Sequence, residues 1–236
     1  MLLSIVTVVR NGEACIIDCL DSIKQLKSLV AVEHIVIDGN SIDATVEICS
    51  KYDCLIFQQN GKGIYNAMNQ GVVCSSGEFI LFSNSDDYID VEGLYKAIKI
   101  LELTPEKNHF FAIKTFSNGG VSKLWAPRTT IYRKYSMPAP HPGMVVQRNL
   151  LLTELKFSEE LKSSADFDMA LHLVQIGNYQ CHDIVIANFR TGGESSKFAS
   201  ILENSLVRTR HNLSLTVKVK GFVYDMLQFL REQFGI

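Results

Sequence analysis

Two adjacent carboxylates end a polar turn that directly follows an apolar run in the first half of the chain. The run is Phe-Ile-Leu-Phe at 79–82, and the turn is Asn-Ser-Asp-Asp at 84–87. Such a run is typical of a strand buried on both faces, and open α/β sheets bind ligands just beyond the carboxyl ends of these strands. Two anionic side chains in one turn repel each other unless a cation or hydrogen-bond donors hold them. The turn therefore predicts either a divalent ion that carries a nucleotide phosphate or a helix cap formed by Asp87 or Asp90.

Polar, turn-forming residues also follow the first two predicted strands. The first strand leads into Thr7-Val-Val-Arg10-Asn-Gly, which offers backbone N–H groups and a guanidinium to an anion or a base. After the second strand, the Asp38 carboxylate would accept hydrogen bonds from ribose hydroxyls or a base N–H, or the turn would cap the next helix from Ser41. Because the carboxyl ends of parallel strands share one sheet edge, we expect these residues to lie near the paired carboxylates.

The elements that position these residues alternate through the first hundred residues. Repeated strand–helix units predict an α/β fold with a mostly parallel sheet and helices on both faces. The strands are expected at 2–9, 34–37, 54–57 and 78–82, and the helices at 13–26, 41–50, 64–74 and 92–103.

The pattern becomes irregular after Thr104-Pro105. We expect strands at 109–116, 121–125, 143–147 and 179–189, a turn at Gly119-Gly120, a loop at 127–142 and a helix at 164–176. Residues 213–236 carry an apolar stripe at helical spacing with interspersed lysine and arginine. This helix either packs on the body of the protein or lies on anionic lipid as an interfacial helix.

Composition excludes several classes of function. The net charge of −2 argues against nonspecific nucleic-acid binding. The six cysteines lack CxxC and zinc-ligand spacing, which favours free thiols in a reducing, cytoplasmic compartment. Residues 1–9 lack a basic region and a cleavage site, so we expect a strand there and not a signal peptide. The glycine-containing segment at 61–71 matches neither the Walker A nor the GxGxxG spacing, which counts against a P-loop NTPase and a nicotinamide dehydrogenase.

Three motifs in register resemble the family 2 glycosyltransferases, and most closely their bacterial polysaccharide-assembly branch. They are Ile-Asp-Gly-Asn-Ser-Ile-Asp-Ala-Thr at 37–45, Gly-Ile-Tyr-Asn-Ala-Met-Asn-Gln-Gly at 63–71, and Ser-Gly-Glu-Phe-Ile-Leu-Phe-Ser-Asn-Ser-Asp-Asp at 76–87. The resemblance implies a GT-A fold, active with Mn²⁺ or Mg²⁺. It also implies a nucleotide-sugar-binding half at 1–103 and an acceptor-binding half at 104–212, followed by the amphipathic helix at 213–236.

The resemblance also assigns roles to individual donor-side residues. The Asn84-Ser85-Asp86 segment takes the place of the family's DxD motif, with Asp86 as the metal ligand through the donor diphosphate. Asn84 stands where the family has Asp, which lowers the charge of the site. The positions matching the family's nucleoside-binding residues are Thr7, Val8, Arg10 and Asp38, and those on the loop beside the base are Lys62, Gly63 and Asn66.

A second resemblance concerns the catalytic base. Residues 164–168, Ser-Ala-Asp-Phe-Asp, resemble the Glu-Asp segment of the family, with Ala165 in place of Glu and Asp166 in the position of the base. Inversion requires a carboxylate opposite the leaving diphosphate to take the proton of the acceptor hydroxyl. Asp166 and Asp168 cannot lie on one helix face, and the alternative is that both cap the helix.

Two further segments carry alternatives. His141 resembles a family histidine before an acceptor-side strand, and a structural role is equally expected. Thr191-Gly-Gly-Glu-Ser195, with Arg190 and Lys197 beside it, would form either an electropositive flap or a plain turn.

The resemblance implies an inverting glycosyltransferase for cell-surface polysaccharide synthesis. It would move a sugar from a nucleoside diphosphate donor, a UDP-sugar being favoured, to a glycan or lipid-linked acceptor at the cytoplasmic face of a bacterial membrane. Peripheral contact with this membrane through the C-terminal helix would follow only from the interfacial alternative for residues 213–236. The loss of carboxylates at Asn84 and Ala165 motivates an alternative, a noncatalytic nucleotide-sugar-binding or assembly subunit with the same fold. A nucleotidyltransferase is a third hypothesis, but the chain lacks a basic, glycine-rich opening motif.

Overall fold

The computed structural model describes residues 2–116, 122–127, 136–191 and 198–234. These residues form one mixed, nine-stranded sheet with helices on both faces. The predicted turn at Gly119-Gly120, the centre of the 127–142 loop and the Gly192–Ser195 segment with Lys197 lie outside the described residues.

The first half of the chain builds the parallel part of the sheet, as predicted. Its strands are β1 (Leu3–Val9), β2 (Glu33–Asp38), β3 (Leu55–Gln58) and β4 (Phe79–Phe82), paired in the order β3-β2-β1-β4. The helices between and after them are α1 (Ile16–Lys27), α2 (Thr45–Cys49), α3 (Ile64–Cys74) and α4 (Val91–Leu103).

The second half adds strands of both directions. They are β5 (Tyr88–Ile89), β6 (Asn108–Phe116), β7 (Lys123–Trp125), β8 (Met144–Gln147) and β9 (Tyr179–Arg190). β8 runs antiparallel to β4 and β6, while β6 and β9 are parallel to each other. Strands β4, β6 and β9 therefore end at the same sheet edge, where β8 begins.

Alternation along the strands divides the core between the two faces of the sheet. On β1, Leu3 and Ile5 point to the face covered by α1 and α4, whereas Val6 points to the face covered by α3. The remaining helices are α5 (Arg148–Thr153), α6 (Ala165–Ile176), α7 (Phe198–Arg210) and α8 (Leu215–Phe234). All four residues of β4 are buried, which confirms that the apolar run before the carboxylates is covered on both faces.

Several boundaries differ from the prediction for local reasons. α2 begins at Thr45, because the Ser41 hydroxyl accepts a hydrogen bond from the Asn11 backbone N–H and does not cap the helix. Asp90 caps α4 by accepting from the Gly93 N–H at 2.9 Å, so Asp87 does not. The C-terminal region holds two helices, and α7, which was not predicted, packs between α6 and α8. No helix among the described residues is long and apolar enough to span a bilayer.

Candidate active site

Hydrogen bonds join the turns that follow β1, β2 and β3 into one continuous edge. The Gly39 N–H donates to the Val9 carbonyl at 2.7 Å, and the Gln59 N–H donates to the Asp38 carbonyl at 2.8 Å. Asn11 and Asn40 adopt left-handed backbone conformations, with φ of 53° and 62°, which asparagine tolerates. The ends of β1, β2 and β3 are therefore neighbours in space. β4 pairs in parallel with β1, so the turn that carries the paired carboxylates follows at the same edge, as predicted.

Arg10 and Asp38 lie side by side at this edge. The Asp38 carboxylate accepts from the Ser41 N–H at 3.1 Å and the Arg10 side chain is exposed. Glycine at position 39 leaves room for this close approach, since a Cβ there would lie 3.1 Å from the Arg10 Cβ and 3.3 Å from the Gln59 Oε1. A nucleoside at this edge would meet one carboxylate and one guanidinium.

The structure does not bring the Thr7 side chain to the edge. Its hydroxyl is fully buried, 3.1 Å from His34 Nε2 and 3.7 Å from Cys19 Sγ. Burial lowers the pKa of His34 to about 3, so this ring is neutral. The pleat of β1 turns Thr7 toward α1, while Val8 packs half-buried against the core on the opposite face. The Thr7 hydroxyl therefore does not face the edge, and the placement of Thr7 among the nucleoside-binding positions stays a prediction.

The loop before α3 connects the edge to the second half of the chain. Gly63 has a φ of 85°, a conformation that favours glycine, and Lys62 next to it is exposed. The Gln59 amide donates to the Gly63 carbonyl at 2.8 Å and to Asn66 Oδ1 at 3.1 Å. Asn66 in turn donates to Glu159 at 3.1 Å, across 93 residues of sequence. Glu159 was not predicted, and no motif in the sequence marks it.

Hydrogen-bond donors resolve the repulsion in the turn after β4. Asp87 is 1% exposed and accepts from the Asn84 amide and from the Arg190 N–H, both at 2.8 Å. Burial raises the pKa of Asp87 to about 7, although these two hydrogen bonds lower it. Asn84 therefore supplies a donor within the turn, where an Asp would add a third carboxylate.

The Asp86 carboxylate is open for contact with a bound ligand. It is partly exposed and makes no hydrogen bond or ion pair with any residue that the structure describes. No group of three or more Asp, Glu, His or Cys side chains gathers around a common point in the described ranges. Mg²⁺ and similar ions are often bound by one or two carboxylates together with substrate phosphates and water. The residues present fit such a shared ion and not an all-protein metal cage.

Positive charge lies beside this turn at the end of β9. The Arg190 Nε donates to the Asp86 carbonyl at 3.4 Å, and the guanidinium stacks over the Phe116 ring at 5.1 Å. Ser85 lies against the beginning of α1, where a Cβ on Gly12 would be 3.7 Å from the Ser85 hydroxyl. The DxD-like turn therefore sits between β1 and the end of β9.

Asp166 lies in the first turn of α6 and contacts the first turn of α3. Its Oδ1 accepts from the Tyr65 hydroxyl at 3.3 Å and from the Phe167 N–H at 2.9 Å. Burial, reinforced by Asp166, raises the pKa of Tyr65, so the hydroxyl stays protonated and donates. Asp168 instead contacts His211 Nε2 at 2.8 Å. The two carboxylates thus point in different directions, as their spacing predicted.

An aromatic cluster connects Asp166 to the end of β4. Phe157 stacks on Tyr65 with ring centroids 5.7 Å apart and meets Phe82 edge-on at 5.3 Å. His141 stacks on Phe82 at 5.4 Å, and its Nε2 is buried without a partner among the described residues. Burial lowers the pKa of His141 while the charge of Asp166 raises it. His141 is thus part of the wall between the strand end and Asp166.

Comparisons with known proteins agree with this geometry. The family model described as Glycosyl transferase family 2 matches residues 4–153. The chain is 29% identical over 187 residues to the poly(ribitol-phosphate) beta-N-acetylglucosaminyltransferase TarS of Staphylococcus aureus, a match that covers 73% of this chain and 33% of TarS. It is 34% identical over 104 residues to the glycosyltransferase GlyA of Streptococcus pneumoniae, covering 41% of this chain and 15% of GlyA. The chain therefore spans about a third or less of these relatives.

Solved structures share the fold. The crystal structure of S. aureus TarS 1–349 in complex with UDP-GlcNAc superposes with a TM-score of 0.71 at 22% identity, over 98% of this chain and 73% of that one. A structure of GalNAc-T7 with UDP, GalNAc and Mn²⁺ gives a TM-score of 0.64 at 13% identity, over 89% of this chain and 48% of that one. These likenesses confirm the predicted α/β fold of the GT-A type with helices at its C-terminal end. Because the family model covers more than half of the sequence, the chain belongs to glycosyl transferase family 2.

Proposed function

We propose that this protein is an inverting glycosyltransferase that moves a sugar from a nucleoside diphosphate to a glycan or lipid-linked acceptor. The observation that carries the proposal is a pair of carboxylates with different surroundings. Asp86 lies beside the strand ends, and its carboxylate has no partner among the described residues. Asp166 is held by the Tyr65 hydroxyl and joined to the same edge by the aromatic cluster. The first would hold a cation that binds the anionic leaving group, and the second suits proton transfer.

The donor would bind along the joined strand ends. Asp38 and Arg10 would contact the nucleoside, and Lys62, Gly63 and Asn66 would line the loop beside the base. Asn84 and Ser85 would face the ribose and phosphates. The support for this arrangement is the hydrogen-bonded edge itself, because it exposes the Arg10 guanidinium and the Lys62 ammonium group to an anionic ligand.

The leaving diphosphate would be held at the turn after β4. Asp86 would hold Mn²⁺ or Mg²⁺ together with the diphosphate oxygens, and the bound ion would offset the negative charge that develops on the leaving group. The Arg190 guanidinium, fixed over Phe116, adds positive charge at the same place. Asp87 would keep the turn in position through its contacts with Asn84 and Arg190.

Asp166 would act as the general base. It would take the proton of the acceptor hydroxyl as that oxygen attacks the anomeric carbon, while the bond to the diphosphate breaks on the opposite face, so that the configuration inverts. Tyr65 would orient the carboxylate through Oδ1, which leaves Oδ2 for the acceptor. A base held in this way contributes about 100- to 10,000-fold to the rate.

The relatives suggest which substrates to test first. TarS is named for the transfer of N-acetylglucosamine to poly(ribitol-phosphate), and its structure was solved with UDP-GlcNAc. We therefore place UDP-GlcNAc first among donors and polyol phosphate or glycan polymers first among acceptors. We assign donor binding to 1–103, acceptor binding to 104–212 and a separate role to the helix at 213–236, with the enzyme acting at the cytoplasmic face of a bacterial membrane.

A noncatalytic nucleotide-sugar-binding subunit is the second candidate. The Asn84 amide donates to Asp87, and Ala165 stands where the family has a carboxylate beside Asp166. Both differences from the family motif reduce the number of carboxylates at the site. This candidate predicts binding of a nucleotide without turnover.

A donor panel distinguishes the two candidates. Thermal unfolding with nucleoside diphosphates and Mn²⁺ identifies the preferred base, because a ligand that binds only the native state raises apparent stability by mass action. Transfer or hydrolysis of the matching sugar nucleotide is then measured by release of the diphosphate. We expect turnover, and we expect Asp86→Asn to abolish it. Asp53→Asn should leave turnover unchanged, because it alters an exposed carboxylate before the amino end of β3, away from the strand-end edge. Nucleotide binding without transfer or hydrolysis with any donor would establish the noncatalytic alternative.

A further inference from the structure

We infer that α8 docks on an anionic lipid surface through the face that it turns away from α7. α8 is a helix of 20 residues held chiefly by one neighbour. Gly221 packs directly against the Arg208 side chain, Asp225 forms an ion pair with Arg208 at 2.8 Å, and Phe229 meets Phe198 edge-on at 5.8 Å. These contacts fix which side of α8 faces the protein.

The opposite side of α8 is apolar and exposed. We call it the outer stripe, and its members are Leu215, Val219, Phe222, Val223, Leu227 and Leu230, each between 36% and 76% exposed. The spacing of these residues keeps them on one face of an α-helix. Exposed apolar side chains that share one face of a helix mark an interaction site, whereas scattered exposed apolar residues do not.

Cations border the outer stripe. At about 3.6 residues per turn, the exposed Lys220 and Arg231 fall on one border, and the half-buried Lys218 lies one helical turn before Phe222, near the face that packs on α7. None of the three forms an ion pair with a residue that the structure describes. A lysine or arginine at such a border can place its charge at lipid headgroups while the stripe enters the acyl boundary.

Two carboxylates of the same two helices, those of Glu203 and Asp225, turn the other way. Glu203 on α7 accepts hydrogen bonds from the Lys162 and Ser163 N–H groups, at 2.9 and 2.8 Å. Asp225 on α8 pairs with Arg208, which is fully buried. The described part of the hairpin therefore presents apolar side chains and cations outward and neutralises its acids inward.

This charge pattern favours lipid over another protein surface. The centre of a protein interface is depleted of lysine, and a second copy of this chain seated on the outer stripe would bring like charges together. An anionic bilayer satisfies both features, since it accepts apolar side chains and attracts their basic neighbours. A helix of 20 residues, about 30 Å long, would lie in the interface plane.

Vesicle sedimentation of the full chain tests the inference. The probes are vesicles of phosphatidylcholine alone and vesicles of equal parts phosphatidylcholine and phosphatidylglycerol. We expect binding to the second and little to the first. The triple change Lys218→Gln, Lys220→Gln and Arg231→Gln should weaken binding about a hundredfold, since each cation near an anionic surface contributes about fivefold. Phe222→Ser with Leu227→Ser should weaken binding at least about tenfold through lost apolar burial.

Leu103→Ser is the matched control, because Leu103 is 81% exposed at the end of α4 and lies outside the hairpin. It should bind as the unchanged protein does. Thermal unfolding verifies that all variants remain folded. The inference is overturned if the unchanged protein does not bind anionic vesicles, or if the triple variant binds them equally well. It is also overturned if the protein instead self-associates in a way that the Phe222 and Leu227 changes abolish. The assay does not involve sugar transfer, so its failure leaves the proposed function standing.

Discussion

The strand-end edge and the aromatic cluster around Asp166 are built by different kinds of contact. At the edge, polar groups of neighbouring turns bond one another, as in Asn11 to Ser41, which are 30 residues apart. In the cluster, stacked rings and one hydroxyl join α3 to α6, and the Tyr65–Asp166 contact spans 101 residues. The edge is assembled from adjacent strand–helix units, whereas the cluster requires both halves of the chain.

Under the proposed function, this difference separates donor binding from catalysis. A single polar contact at the edge contributes about 1 kcal/mol net, so its loss is absorbed by its neighbours. Truncation of a buried ring in the cluster to alanine costs several times more, about 3–5 kcal/mol in the free energy of unfolding. The rings are also connected to Asp166 through Tyr65. Changes in the cluster should therefore affect turnover and stability while the nucleotide affinity stays the same.

The strongest test of this separation is Asp166→Asn. The amide cannot take the proton of the acceptor, so kcat should fall about 100- to 10,000-fold. The dissociation constant of the nucleotide, measured by calorimetry, should not change. Asp168→Asn is the matched control, because Asp168 contacts His211 and faces away from Tyr65. Retention of more than about a tenth of the activity in Asp166→Asn would assign the base elsewhere.

Truncation of the central ring should show that the cluster acts as a unit. Phe157 is 2% exposed and contacts Tyr65, Phe82 and His141. Phe157→Ala should cost about 3–5 kcal/mol in the free energy of unfolding and lower kcat as well. Phe110→Ala, which removes another buried ring that stacks on Tyr179, should cost a similar free energy without affecting kcat in the folded fraction. Equal effects of the two changes on kcat would contradict a special link between Phe157 and Asp166.

The pH dependence of stability should report Asp87, a buried carboxylate that joins the two halves of the chain. The pKa of Asp87 is raised from 3.8 to about 7 in the folded protein, so the folded state holds this proton more tightly than the unfolded state. The stabilisation is complete below about pH 4 and is lost as the pH rises through about 7, by roughly 4 kcal/mol at most. Urea unfolding between about pH 5 and 8 in EDTA measures this loss.

Asp87→Asn should flatten that dependence. The Asn84 amide can turn its oxygen toward the new NH₂ group, and the Arg190 N–H keeps an acceptor, so both hydrogen bonds are retained. Asp53→Asn, at an exposed carboxylate paired with Lys27, should leave the dependence unchanged. If Asp87→Asn keeps the full pH dependence of stability, the titrating group is another residue.

The sequence predicts the edge well because each of its residues follows its own strand directly. The boundaries of α3 at Ile64–Cys74 and the position of Asp86 after a fully buried strand were both predicted from local pattern alone. The orientation of Thr7 was not, because it depends on which face of β1 the neighbouring helix covers. Likewise Ser41 was expected to cap α2, but the tertiary contact with Asn11 takes its hydroxyl.

The cluster was predicted only in part. Asp166 carries a motif, but Phe157 and Glu159 do not, and their partners on α3 lie 88 to 93 residues away. α7 was missed because its buried face mixes apolar and polar residues: Ile201 and Val207 are buried together with Ser200 and Arg208, whereas Leu202 and Leu206 are exposed. Residues whose roles depend on distant packing leave little local signal.

The smallest expected effect is also the most specific. Tyr65→Phe removes the hydroxyl that donates to Asp166 Oδ1 but keeps the ring stacked on Phe157. Loss of this orienting hydrogen bond should lower kcat about fivefold, or about 1 kcal/mol in the barrier, with stability little changed. Tyr179→Phe, at a stacked tyrosine on β9, is the control and should not alter kcat. Because Tyr65 is expected to act only through Asp166, Tyr65→Phe should have no further effect on the residual rate of Asp166→Asn. Additive losses in the double variant would mean that the hydroxyl acts on something other than the base.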